Sequence, residues 1–184
     1  VDIGLGELAV ATLLRTLAGL LPPFSGSVRI EGALASDGEP AMCIGEAAHY
    51  LGHRNALKIG ETLRGNLVFW HRHLGAPARE TERDVARALE AVGLASLAEL
   101  LVGHLSAGQQ RRAALARLLL VRRPVWLLDE PTGALDERSR SRFSAMAQAH
   151  LESGGLLVAA THQPLGIEAR ALDLSAPATS RCSR

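Results

Sequence analysis

Leu105-Ser106-Ala107-Gly108-Gln109 and, twenty residues on, Val125-Trp126-Leu127-Leu128-Asp129-Glu130 decide how this chain is read. The first stretch is a small-residue turn in which Ser106 is placed to cap a helix and Gln109 to complete a capping box. That helix is expected to run to about Val121, because Pro124 blocks its continuation. The second stretch is a continuous apolar run, the pattern of a strand buried on both faces. It ends in two adjacent carboxylates, which places Asp129 and Glu130 at the carboxyl edge of a sheet, where α/β proteins bind ligands. Asp129 suits Mg²⁺, directly or through water, and Glu130 suits accepting a proton from an attacking water. Taken alone, an apolar strand running into Asp-Glu is equally the ordinary polar end of any strand.

Outward from that pair, helical and strand signals alternate. Val10, Leu13, Leu14, Leu17 and Leu21 fall at helical spacing, and Gly19 or Pro22-Pro23 supplies a stop. Ser27 to Glu31 alternates like a half-buried strand, Ala47 to Leu51 reads as a short buried strand, and Leu156 to Thr161 as another. Arg170 to Leu174 is expected to add an edge strand. Asp136 is placed to cap a helix carrying Phe143, Met146 and Leu151. From about 56 to 122 no strand signal occurs; Leu63, Leu67, Trp70 and Leu74 form one helical face, and Val85, Leu89 and Val92 another. Strands alternating with helices predict a parallel sheet with helices on its faces.

Composition sets the outer limits. With 47% hydrophobic and 21% charged residues the chain reads as one globular domain. A net charge of +1 gives no reason to expect nucleic acid as a partner. No apolar run reaches the roughly 18 residues of a membrane span, and nothing at the N-terminus reads as an export signal. Cys43 and Cys182 are expected to be plain thiols. His71 and His73, two apart on a helix, make a poor metal pair and are expected to face solvent. Arg111-Arg112 and Arg122-Arg123 are read as charge on helix surfaces.

Beyond Glu130 come Pro131-Thr132-Gly133-Ala134-Leu135-Asp136 and, after the next strand, Thr161-His162. In this order the motifs resemble those of the ATP-binding-cassette (ABC) ATPases: Leu105 to Gln109 their signature loop, Val125 to Glu130 their Walker B strand, Ala134 to Asp136 their D-loop, and His162 their switch histidine. The resemblance implies a P-loop (RecA-like) core with an inserted helical subdomain, working as a dimer with ATP and Mg²⁺. It makes Glu130 and His162 catalytic, Asp129 the metal partner, and Ser106, Ala107, Gly108, Gln109 and Asp136 parts of the nucleotide site. His53 stands where the family usually has a glutamine. Together with Leu14 to Pro22 and Thr161 to Leu165, that histidine resembles the ATPase subunit of the heme exporter of bacterial cytochrome c maturation. This implies heme handling on the cytoplasmic face of the inner membrane. A membrane-spanning permease would dock about Leu57 to Leu74.

One element is missing. Such ATPases need a phosphate cradle of the form G-x-x-x-x-G-K-[ST] ahead of their first core helix. With Thr12 fixing the register, only Gly4 matches; the second glycine is Ala9, the lysine Val10 and the metal-binding hydroxyl Ala11. Glu7 adds a negative charge where phosphates would sit. Thr12 keeps one hydroxyl of the nucleotide site. Together these changes are expected to cost several powers of ten in affinity, at about 1.4 kcal/mol per tenfold. The N-terminal β-subdomain with its adenine-stacking aromatic is expected to be largely missing, as in a truncated or frame-shifted start. We therefore expect one ABC ATPase domain, with core about 1–55 and 123–174, helical subdomain about 56–122, and a disordered tail at 175–184. Three functions stay open: the heme-exporter ATPase, the ATPase of another small exporter, and a non-catalytic partner of an intact subunit. The span between Thr12 and Ser106 leaves no room for the long coiled coil of DNA-repair cassette ATPases.

Overall fold

The computed structural model describes residues 5–35 and 38–172, with the side chains of 5–8 left out. Three parallel strands, β1 (Ala48–Leu51), β2 (Val125–Asp129) and β3 (Leu156–Ala160), stand in the order β1-β2-β3. Ala48 is paired with Val125, and Asp129 with Ala160. Around them lie α1 (Leu5–Leu17), the single turn α2 (Ile44–Ala47), α3 (Leu63–His73), α4 (Thr81–Ala91), α5 (Ala107–Ala116) and α6 (Glu137–Glu152). Between Leu51 and Val125 the described chain forms helices and short 3₁₀ turns and no strand.

β2 is central because both its faces are apolar. Leu127 packs with Leu14 of α1, with Ala18 just past its end and with Ala48 of β1. Trp126 and Leu128 face the larger cluster, which holds Leu51, Leu63, Leu67, Val85, Leu115 and Phe143. Side chains two apart on a strand share a face, so this single apolar run supports a helix on each side of the sheet. The helices end as their sequences dictate. Gly93, at φ +67°, closes α4 in the left-handed region that glycine enters freely. Thr62 caps α3 through its hydroxyl, which accepts from Gly65 N at 3.0 Å.

Several expectations are corrected. Residues 27–31 form no strand, and Val28 is exposed; nearby, Leu34 and Pro40 make only an isolated antiparallel bridge. Alternation alone makes no strand without a partner to pair with, and no described segment forms a β-bridge with these residues. Residues 170–172 are likewise unpaired; Asp173, Leu174, Cys182 and the 175–184 tail lie outside the described residues. His71 is fully buried rather than solvent-facing. It continues the Leu63, Leu67 face of α3, and its ring bridges Thr81 Oγ1 (3.1 Å from Nδ1) and Asp84 Oδ2 (3.2 Å from Nε2). His73, which does face solvent, stacks on Phe69.

Of the arginine pairs, Arg122 is exposed as expected, but the other three are not plain surface charge. Arg111 is buried. Arg112 donates to the carbonyls of Val92 and Gly93 behind α4, and Arg123 to those of Gly45 and Ala48. Each uses a guanidinium to satisfy carbonyls left over where a helix ends or a strand begins.

Candidate functional site

At the start of α5 both halves of the capping box form. Gln109 N donates to Ser106 Oγ at 3.3 Å, and Ser106 N donates to Gln109 Oε1 at 2.8 Å. The side chain of Gln110 then reaches back to the carbonyls of Val102 and Leu105, fixing the approach to the turn. The first turn of a helix offers N–H groups and a positive dipole end, which suits an anion. Gly108 lies against Ala134: a Cβ added at Gly108 would stand 2.8 Å from the Ala134 carbonyl oxygen. Ala134 itself adopts φ +61°. Ser106, Gly108, Gln109, Arg112, Ala134, Asp136 and Ser139 thus line one cavity of about 230 Å³. Asp136 caps α6 by accepting from Ser139 N at 2.8 Å. Hydrogen bonds from the Ser139 hydroxyl and N–H hold its carboxyl below the usual carboxylate range, with help from the charge of Arg112.

A second grouping forms at the carboxyl edge of the sheet. Glu130 follows β2 with φ +46°, and its N–H donates to Ala160 O at the end of β3. Its carboxylate accepts from His162 N at 3.0 Å and from the Thr161 hydroxyl at 3.4 Å, and His162 Nε2 stands 3.7 Å from Oε1. An exposed imidazole beside a half-buried carboxylate at a strand end is an arrangement able to hold a water and take its proton. Asp129 is the last residue of β2, one residue before Glu130. Among the described residues no cluster of three or more His, Cys, Asp or Glu side chains is placed to hold a metal by itself.

His53 is exposed on the loop after β1, and Thr12 exposed on α1; neither lines the cavity at Ser106. Positions 5–11, aligned with the cradle, are helical from Leu5 onward. A P-loop wraps phosphates with consecutive backbone N–H groups, whereas a helix commits those groups to its own carbonyls. The residues present therefore fit the signature half of an ATP site and do not fit its phosphate-cradle half.

Arg111 was not expected at the site. The residue is 5% exposed, and its guanidinium donates to Pro131 O (3.3 Å), Gly52 O (3.1 Å), Asn55 Oδ1 (3.1 Å), Asp129 O (2.6 Å) and Glu130 O (2.7 Å). Burial draws its pKa below the usual arginine value, and the carboxylates of Asp129 and Glu130 oppose that shift. A signal was there to find: Arg111 shares a helical face with Ala114, Leu115 and Leu118, all of them core residues.

Comparison with known proteins follows the same outline. The family model described as "ABC transporter" matches residues 11–133, beginning at the last position aligned with the cradle. The cytochrome c biogenesis ATP-binding export protein CcmA of Rhodopseudomonas palustris (strain BisB5) is 51% identical over 91% of this chain and 79% of its own length. Its namesake from Nitrobacter hamburgensis is 53% identical over 88% of this chain and 76% of its own length. Among solved structures, cbiO1 of Clostridium perfringens, part of the ABC transporter complex cbiONQ, superposes with a TM-score of 0.66 at 25% identity. The match covers 87% of this chain, which spans 65% of that structure.

Proposed function

The chain belongs to the ABC transporter family, and from that premise we propose that it is an ATP-binding subunit of an export system serving cytochrome c biogenesis. In this reading it supplies the signature half of a composite ATP site. The observation that carries this is the cavity in which the capped N-terminus of α5, Gly108 and Asp136 converge. Ser106, Ala107, Gly108 and Gln109 would meet the terminal phosphate of ATP held by a second subunit, with Asp136 bracing the contact. Similarity to the CcmA proteins over most of the chain supports the export role, with heme as the species handled.

Glu130 would serve as general base, His162 would hold the water, and Asp129 would hold Mg²⁺. His53 and Thr12 would be the outlying members of the nucleotide site. The helical course of positions 5–11 favours a chain that does not turn over ATP alone. The division into a core of 1–55 and 123–174 and a helical unit of 56–122 is part of the same proposal. Mixing the chain with an intact CcmA relative tests it. ATP hydrolysis above the sum of the separate proteins is expected, and no gain with both proteins folded contradicts the reading.

Among the described residues no helix is long and apolar enough to cross a membrane. Membership of a transporter family implies a membrane permease as partner, and we place its docking on α3 and the loop before it. There Ile59 and Phe69 are exposed, and a groove of about 460 Å³ runs between Val68, Phe69, Arg72 and His73. Attachment would be at the cytoplasmic face of the bacterial inner membrane. Phe69→Asp, at an exposed position, is expected to leave the fold intact and to abolish co-sedimentation with permease-bearing membranes. Undiminished sedimentation argues against this face.

A further inference from the structure

We propose that Arg111 is a positioning residue that locks three motifs into one unit: the signature turn of α5, the turn carrying Glu130, and the loop carrying His53. The proposal rests on the roles given above to Ser106 and Glu130. A guanidinium has five N–H donors in a fixed planar fork. Here the five hydrogen bonds of Arg111 match that number, one from Nε and two from each Nη. Four of the acceptors are main-chain oxygens and the fifth is the side chain of Asn55. None is a carboxylate, so the arrangement holds backbone rather than pairing charge.

The acceptors are distributed with purpose. Nη2 takes the carbonyls of Asp129 and Glu130 together. Successive carbonyls of an extended strand point to opposite sides, so their convergence on one nitrogen needs the left-handed turn at Glu130. That conformation is unfavourable for any residue bearing a Cβ, and the grip of Arg111 holds it. The turn in its place sets the Glu130 carboxylate against His162 N and Thr161 Oγ1. Nη1 reaches Gly52 O and Asn55 Oδ1, which flank His53. Arg111 itself lies one turn into the helix that Ser106 caps. A shift of α5 that altered the signature turn would therefore carry the Glu130 turn and the His53 loop with it. Lysine has a single ammonium and cannot span oxygens on three segments.

Hydrogen exchange on the whole chain tests the lock, using Arg111→Gln and Arg111→Lys. Exchange at 52–56 and 129–133 is expected to rise at least tenfold more than exchange within α4 in the Gln variant, with a smaller rise in the Lys variant. A uniform rise along the chain, or no rise at either segment, overturns the proposal. Should the Gln variant not fold, the Lys variant is scored by the same comparison. In a mixture with an intact relative, hydrolysis is expected to fall at least tenfold with Arg111→Gln and to recover partly with Arg111→Lys; undiminished hydrolysis also overturns it. If the unaltered chain supports no hydrolysis in that mixture, the proposed function fails, and the exchange result still decides the lock.

Discussion

Gly108→Asp is expected to lower ATP hydrolysis by a mixture of this chain and an intact relative at least a hundredfold, about 2.7 kcal/mol of transition-state stabilisation. Two effects combine. The new Cβ would stand 2.8 Å from the Ala134 carbonyl oxygen, a contact with backbone that cannot rotate away. Either α5 or the Ala134 turn must then shift, and both line the cavity at Ser106. The carboxylate would also occupy the first turn of α5, competing for the N–H groups and dipole that favour a phosphate there. Gly108→Ala separates the two, carrying the steric effect without the charge, and is expected to lie between. Phosphate release measured with each variant decides it. Activity of Gly108→Asp within twofold of the unaltered chain would remove the cavity at Ser106 from the site.

Acid is expected to unfold the chain through His49. This side chain lies on β1, buried, with Nε2 2.8 Å from the Val121 carbonyl oxygen. A carbonyl only accepts, so Nε2 carries a proton. Burial brings its pKa from 6.5 to about 3; the bond to Val121 opposes the shift, while the charges of Arg123 and Arg117 add to it. The unfolded chain therefore binds a proton near pH 6.5 that the folded chain refuses until about pH 3. Stability is fully present above about pH 6.5 and declines as pH falls through that window, by about 1.4 kcal/mol per unit. By pH 4.5 the loss is on the order of 2–3 kcal/mol, a large part of the roughly 5–15 kcal/mol of a typical domain. Urea midpoints at pH 7.5 and 4.5 for the chain and for His49→Gln isolate this contribution. A pH slope as steep in the Gln variant as in the original would assign the acid sensitivity elsewhere.

The parts of the fold legible in the sequence are those that neighbouring residues fix. Ser106 and Gln109 lie three apart and satisfy each other's backbone, so the capping box is local. β2 needs four apolar residues between Pro124 and Asp129, and Gly93 stops α4 by its own conformation. Burial that depends on distant partners was not legible. His71 is drawn inside by Thr81 and Asp84, and Arg111 by oxygens from segments far away in the chain. The alternation of Ser27 to Glu31 is real, but a strand is a pairing, and its partner is not in the neighbouring sequence. The helix through the cradle positions follows from the residues that stand there, Ala9 in place of the second glycine among them. Glu7, Leu8, Ala9 and Ala11 are favourable helix formers, and nothing among them interrupts α1 before Leu17.

That helix sets the central claim of the proposed function: among the described residues, those at Ser106 fit the signature half of an ATP site, and positions 5–11 form a helix where a phosphate cradle would need a loop. Titration of the purified chain with MgATP, alone and then with an intact CcmA relative carrying a Glu→Gln substitution at the position of Glu130, tests it most directly. Alone, the chain is expected to show no saturable binding below the millimolar range. With the relative, ATP is expected to bring both chains together in one complex. Micromolar binding by the chain alone would contradict the account.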